Sequence, residues 1–210
     1  FDGNKSGNPY CFDWRFGANI YLPNTEEQTL IENCYFYNTP AENIFAGACK
    51  LINSRYSELN GSLIHFSANA NRAATTVVDK VYGVGSNRAT NAVMNHSEAT
   101  ITSSANTTNL RVTNCNFEDG DEAVFTSDSY DDFEYSVENS NFKNYKYSFF
   151  FFFCGGIGVE KNLRINNNTF DNCGPIIVSS AAPSSLYKGT AISLITINYN
   201  TFINTRLEFQ

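Results

Sequence analysis

The stretch Arg111-Val-Thr-Asn-Cys-Asn-Phe117 decides the fold, because the chain contains it several times over. Beneath RVTNCNF at 111–117 align LIENCYF at 30–36, SVENSNF at 136–142, RINNNTF at 164–170 and TINYNTF at 196–202. A weaker copy, LINSRY at 51–56, keeps the Asn-Ser pair and closes on Tyr56. Each copy runs from an aliphatic residue through a polar one to Asn or a near equivalent, then Cys, Ser or Asn, any residue, and Phe. A polar residue and then Asn or Asp commonly follow, as in Glu118-Asp119, Lys143-Asn144 and Asp171-Asn172. Internal self-similarity of this kind is the signature of a repeat architecture.

Spacing identifies the unit. Phe117, Phe142, Phe170 and Phe202 are separated by 25, 28 and 32 residues, and Phe36 lies 20 before Tyr56. Such a period suits one turn of a solenoid, with the variation taken up in loops. Within each copy Val, Ile, Phe and Tyr alternate with polar residues at period two, which is strand chemistry. Helical patterning is nearly absent; residues 24–33 carry the one weak candidate, and the Ile31/Phe36 alternation competes with it. If successive turns stack at about 4.8 Å, equivalent positions form columns. Ile31, Val112, Val137, Ile165 and Ile197 line one interior column, and Phe36, Phe117, Phe142, Phe170 and Phe202 a second. Cys34, Cys115, Ser140, Asn168 and Asn200 form a third, small enough for a sharp corner. Asn tolerates left-handed backbone and suits such corners.

Composition narrows the class. The 210 residues are only 17% charged and 15% aromatic, too aromatic for disorder and too poor in helix formers for a bundle. A net charge of −7 opposes a nucleic-acid backbone partner. No run approaches the roughly 18 apolar residues of a membrane helix. The six cysteines, at 11, 34, 49, 115, 154 and 173, have no CxxC spacing and so no zinc signature. Their even number permits disulfides, and burial as small apolar residues is the other reading. The polar, Lys-poor surface favours an extracellular or cell-surface setting.

The [IV]-x-N-[CSN]-x-F-x-[ND] coil resembles the right-handed parallel β-helix proteins of the pectin-lyase-like superfamily, especially bacterial surface and polysaccharide-associated members. The resemblance covers most of residues 28–206. It implies an all-β fold, one right-handed parallel β-helix of about eight turns over residues 1–210, with 1–27 as an N-terminal cap. With no cap evident after the last Phe copy, the chain is expected to belong to a longer protein or to dock end-on or self-associate. The superfamily holds lyases, hydrolases, phage tail-spikes, adhesins and non-catalytic modules, so fold leaves function open.

Polygalacturonase-like members carry Asp-Asp, Gly-His-Gly and Arg-Ile-Lys motifs; here Asp131-Asp132 stands without the others. The leading expectation is therefore a non-catalytic surface or appendage module that contacts polysaccharide or a cell-surface glycan. A polysaccharide lyase acting on uronates is the alternative, with His96 or Arg88 as base and neutraliser and Glu98 or Asp121 holding calcium. A phage tail-spike or receptor-binding fragment is the third. His65, Lys80 and Trp14 are candidate substrate contacts, Trp14 serving either as a carbohydrate platform or within the cap. Asp119, Asp121 and Glu122 form a candidate calcium corner, since hard oxygen ligands suit that ion; otherwise no cofactor is expected. The run Phe149–Phe153 must place alternate side chains on opposite faces of a strand.

Overall fold

The computed structural model describes residues 19–22, 29–39, 43–46, 49–59, 62–66, 75–86, 99–103, 109–127, 133–152, 161–179 and 194–209. Among them every regular element is a β-strand, and every pairing between strands is parallel. The weak helical candidate resolves accordingly: Thr29–Glu32 is a strand, and residues 24–28 lie outside the described set.

The strands form three ladders. The first is a seven-stranded sheet that includes Thr29–Glu32, Asn109–Thr113, Phe133–Glu138 and Lys161–Asn166. The second and third merge into a thirteen-stranded sheet. They join where Asn116–Ser127 and Asn141–Phe152, 12 residues each, run through the corner between them. Every copy of the repeat thus passes from the first ladder to the second. Parallel strands of successive copies lie side by side in stacked sheets, an arrangement compatible with a β-helix.

Register bears out the columns read from the repeat. Val112, Val137, Ile165 and Ile197 pair in line, and Leu51 and Val78 connect them to Ile31. The aromatic column pairs Phe117, Phe142, Phe170 and Phe202. Phe142 stacks on Phe170 at 5.2 Å between centroids and Phe170 on Phe202 at 5.4 Å, both nearly coplanar. Facing core positions are Leu110, Tyr135 and Leu163 from the first ladder and Ile44, Ile64 and Ile176 from the third, all buried.

One coil departs from the pattern. Between Tyr56 and Phe117 the column position belongs to Gly83. The Tyr56 ring occupies its space and reaches Phe117 at 5.9 Å, while its hydroxyl meets that of Tyr145 at 3.2 Å. A Cβ on Gly83 would stand 2.2 Å from that ring. One tyrosine therefore serves two coils.

Corners explain the asparagines. The positive-φ residues fall into two columns. Asn33, Asn53, Lys80, Asn114, Asn139, Asn167 and Tyr199 turn the chain out of the first ladder. Five residues later in each case, Asn38, Glu58, Gly85, Asp119, Asn144, Asn172 and Asn204 turn it out of the second. Asn adopts this conformation more readily than most residues and adds side-chain bonds between coils. Asn53 Nδ2 donates to Asn33 Oδ1 at 2.6 Å, and Asn172 Nδ2 to Asn144 Oδ1 at 2.9 Å. Inside the first corner, the small-residue column accepts backbone N–H groups that the bend would strand. Cys115 N donates to Ser140 Oγ at 3.0 Å, Ser140 N to Asn168 Oδ1 at 3.0 Å, and Asn168 N to Asn200 Oδ1 at 2.9 Å.

The phenylalanine run is partly described. Phe149 pairs with Ile176, which is buried, and Phe150 with Ile177; Phe153 lies outside the described residues.

Candidate functional site

The outward face of the first ladder is built from the positions the core does not use. In the repeat, residues between the aliphatic ones point away from the interior. Their register sets Val77, Arg111, Ser136 and Arg164 in one column, and Asp79, Thr113 and Glu138 in the next. Ser136 is small and buried between the two arginines. A groove of about 400 Å³ lies over it, lined by both arginines and by Asp79, Glu134 and Glu138.

The charges in this groove are unevenly committed. Arg164 is ion-paired with Glu134. Asp79 Oδ1 accepts from Thr113 Oγ1 at 2.7 Å and from Asn114 Nδ2 at 2.8 Å. Arg111 is exposed and has no ion pair among the described residues. Asp79, Glu134 and Glu138 occupy the diagonal register positions around it, where neighbours stand about 7–8 Å away. Arg111 lines the groove without an ion pair among the described residues, and a guanidinium fork so placed can serve an anionic or hydroxylated ligand.

General acid–base chemistry is poorly served here. Glu134 and Glu138 are four residues apart on one strand, roughly 13 Å, beyond the separation of a glycosidase carboxylate pair. Between Asp79 and Glu138 lies Thr113, whose hydroxyl is bonded to Asp79. Two of the thiols are equally unsuited to nucleophilic work: burial pushes Cys49 and Cys115 up from 9.0 to about 12. Among the described residues no disulfide joins Cys34, Cys49, Cys115 and Cys173; Cys11 and Cys154 lie outside the described residues.

The residues singled out from sequence are scattered. His65 is buried on Ile64–Phe66 in the third ladder, paired with Phe45 and Thr102. Lys80 is exposed at the first corner, in the column whose next members, Asn114 and Asn139, border the groove. Asp119 occupies a second-corner position and accepts from Asn144 Nδ2 at 2.9 Å, while the side chains of Asp121 and Glu122 lie outside the described residues. Among the described residues no group of three or more His, Cys, Asp or Glu is arranged to hold a metal ion. Trp14, Arg88, His96, Glu98, Asp131 and Asp132 also lie outside the described residues. Among those described, no helix is long and apolar enough to cross a membrane.

Compared with known proteins, the chain matches no family model, no curated sequence and no solved structure. The geometry of the groove therefore carries the functional argument. Sequence reasoning passed over Arg111 and Arg164, although the signal lay in the repeat itself. Arg opens both RVTNCNF and RINNNTF, and Ser opens the copy between them, so an arginine column with a gap at its centre follows from the alignment.

Proposed function

We propose that the chain is a right-handed parallel β-helix of about eight turns, of the pectin-lyase-like type. We propose further that it acts as a non-catalytic extracellular or cell-surface module that contacts polysaccharide across the outward face of its first ladder. The turn number is supported by seven pairs of left-handed corners among the described residues. The hand follows the strong preference of parallel crossover connections for right-handed turns.

One observation carries the functional part: the groove over Ser136 offers an uncommitted Arg111 beside hydroxyl, amide and carboxylate groups. Sugars present hydroxyls that both donate and accept, and acidic sugars add a carboxylate for the guanidinium. The bonds already made by Asp79 and Glu134, and the separation of Glu134 from Glu138, favour binding over cleavage. A glycan array covering acidic and neutral polysaccharides tests the reading. Binding to an acidic polysaccharide, reduced at least tenfold in Arg111→Ala, is the expected result. Binding to no polysaccharide, or unchanged affinity in Arg111→Ala, overturns it.

A further inference from the structure

We propose a second glycan site on the outward face of the second ladder, where Tyr35, Arg55 and Tyr82 form a cradle for one carboxylated pyranose. The polysaccharide reading above concerns another face, and the cradle rests on separate observations. Tyr35 pairs in register with Arg55 and Arg55 with Tyr82, so three consecutive strands set them in one outward column. Two strand spacings put the tyrosines about 9.6 Å apart, with the arginine between them. Further along, the same column continues as Asn116, Asn141, Thr169 and Thr201, all small and polar. Within this column the aromatic residues are thus confined to one end.

These side chains are held ready. The Arg55 guanidinium lies 4.9 Å from the centre of the Tyr35 ring, a cation–π contact that fixes the fork. Tyr35 is itself steadied by Tyr37, stacked at 5.1 Å, and by Ser57, whose Oγ is 2.7 Å from its hydroxyl. Even so, Tyr35 is 40% exposed and Tyr82 51% exposed. Between them lies a cleft of about 350 Å³, bordered by Asn33, Asn53 and Ser54 along the corner. That volume is at the low end of ligand pockets, which run from roughly 300 to 1,000 Å³.

The chemistry of the lining names the occupant. A pyranose has an apolar C–H face to lay on a tyrosine ring and equatorial hydroxyls for the corner asparagines. Arg55 is the one charged side chain lining the cleft, and it has no ion pair among the described residues of a chain carrying −7 overall. It selects an anionic group, and its planar fork matches a carboxylate in two parallel hydrogen bonds. A protein partner would need a contiguous patch of about 800 Å² on this side. The aromatic island is instead a few residues wide.

Titration calorimetry with a glucuronate oligosaccharide and its methyl ester tests the cradle, using Arg111→Ala as the background so that the first-ladder groove is silent. The background protein is expected to bind the acid and to bind the ester at least tenfold more weakly. Adding Tyr82→Ala or Arg55→Gln should cut affinity for the acid tenfold or more, with the thermal midpoint unchanged. Arg55→Lys, which keeps the charge without the fork, should fall between. The proposal is overturned if the background protein binds neither sugar, if acid and ester bind alike, or if Tyr82→Ala leaves the affinity intact. Failure of the groove reading looks different: Arg111→Ala would then bind as the wild type does, while Tyr82→Ala would still lose affinity.

Discussion

Gly83 stands where six other coils carry phenylalanine or tyrosine, and replacing it tests how the interior is filled. In Gly83→Ala the new methyl carbon would sit 2.2 Å from Cδ1 and Cε1 of Tyr56 and 2.4 Å from Cζ. Favourable carbon contacts lie near 3.5–4.0 Å, so the ring must retreat by more than about 1 Å. It has nowhere to go, being 2% exposed, packed on Phe117 and joined to the Tyr145 hydroxyl. Overpacking of this kind costs about 1–3 kcal/mol. Taking about 2 kcal/mol for a chain of this size, the thermal midpoint should drop by roughly 4–8 °C. Tyr56→Ala alone should cost about 3–5 kcal/mol through the cavity it leaves. In that background the clash is gone, and Gly83→Ala should become stabilising by about 0.5–1 kcal/mol, the usual preference for Ala over Gly within a strand. The double-mutant cycle should therefore show a coupling of about 2–3 kcal/mol, measured by urea and thermal unfolding. A neutral Gly83→Ala, or changes that add to within about 0.5 kcal/mol, would refute the shared-tyrosine packing.

Three further outcomes are expected. Asn168→Ala strips the acceptor of Ser140 N and the donor to Val137 O at a buried corner, and should cost about 2–4 kcal/mol in urea unfolding. Asn168→Ser should recover part of this, because Ser140 already performs the accepting role one coil earlier. Tyr199, 86% exposed at φ 57°, lies in left-handed backbone without the aptitude of Asn; Tyr199→Asn should stabilise by about 0.5–1 kcal/mol, read as a higher urea midpoint. Cys49 and Cys115 hold their protons up to about pH 12 when folded, against 9.0 ordinarily. The folded chain then binds more protons than the unfolded one between those values, so stability is intact below pH 9 and falls as pH rises above it. The slope reaches about 1.4 kcal/mol per pH unit per thiol. A Cys49→Ala, Cys115→Ala variant should show a shallower alkaline decline in urea midpoint than the wild type, and equal declines would contradict the burial argument.

The interior was legible because its columns demand like residues on successive coils. Phe117, Phe142, Phe170 and Phe202 repeat since each must stack on the last, and Asn33, Asn114, Asn139 and Asn167 repeat since each bends left-handed. The coil at 78–83 escaped notice for a physical reason: Lys80 replaces the corner Asn and Gly83 yields its volume to Tyr56. The third ladder has no shared motif, because it meets the core through short strands such as Ile20–Leu22 and Ile44–Ala46 that any aliphatic residue can fill. Arg55, Tyr82, Arg111 and Arg164 were hidden differently. They occupy outward positions on which stacking imposes no rule, so only register brings them together.

The constant five-residue interval between paired left-handed corners sets where this chain can change length. A deletion between Asn139 and Asn144 would invert the facing of every side chain up to the next bend, exchanging core for surface. From one first-corner residue to the next, by contrast, the distance already ranges from 20 to 34 residues without disturbing the register. Insertions and deletions should thus accumulate outside the short arm and be purged within it. A peptide grafted between the second corner of one coil and the first-ladder strand of the next would be carried at a fixed height on the stack without altering the coils above and below.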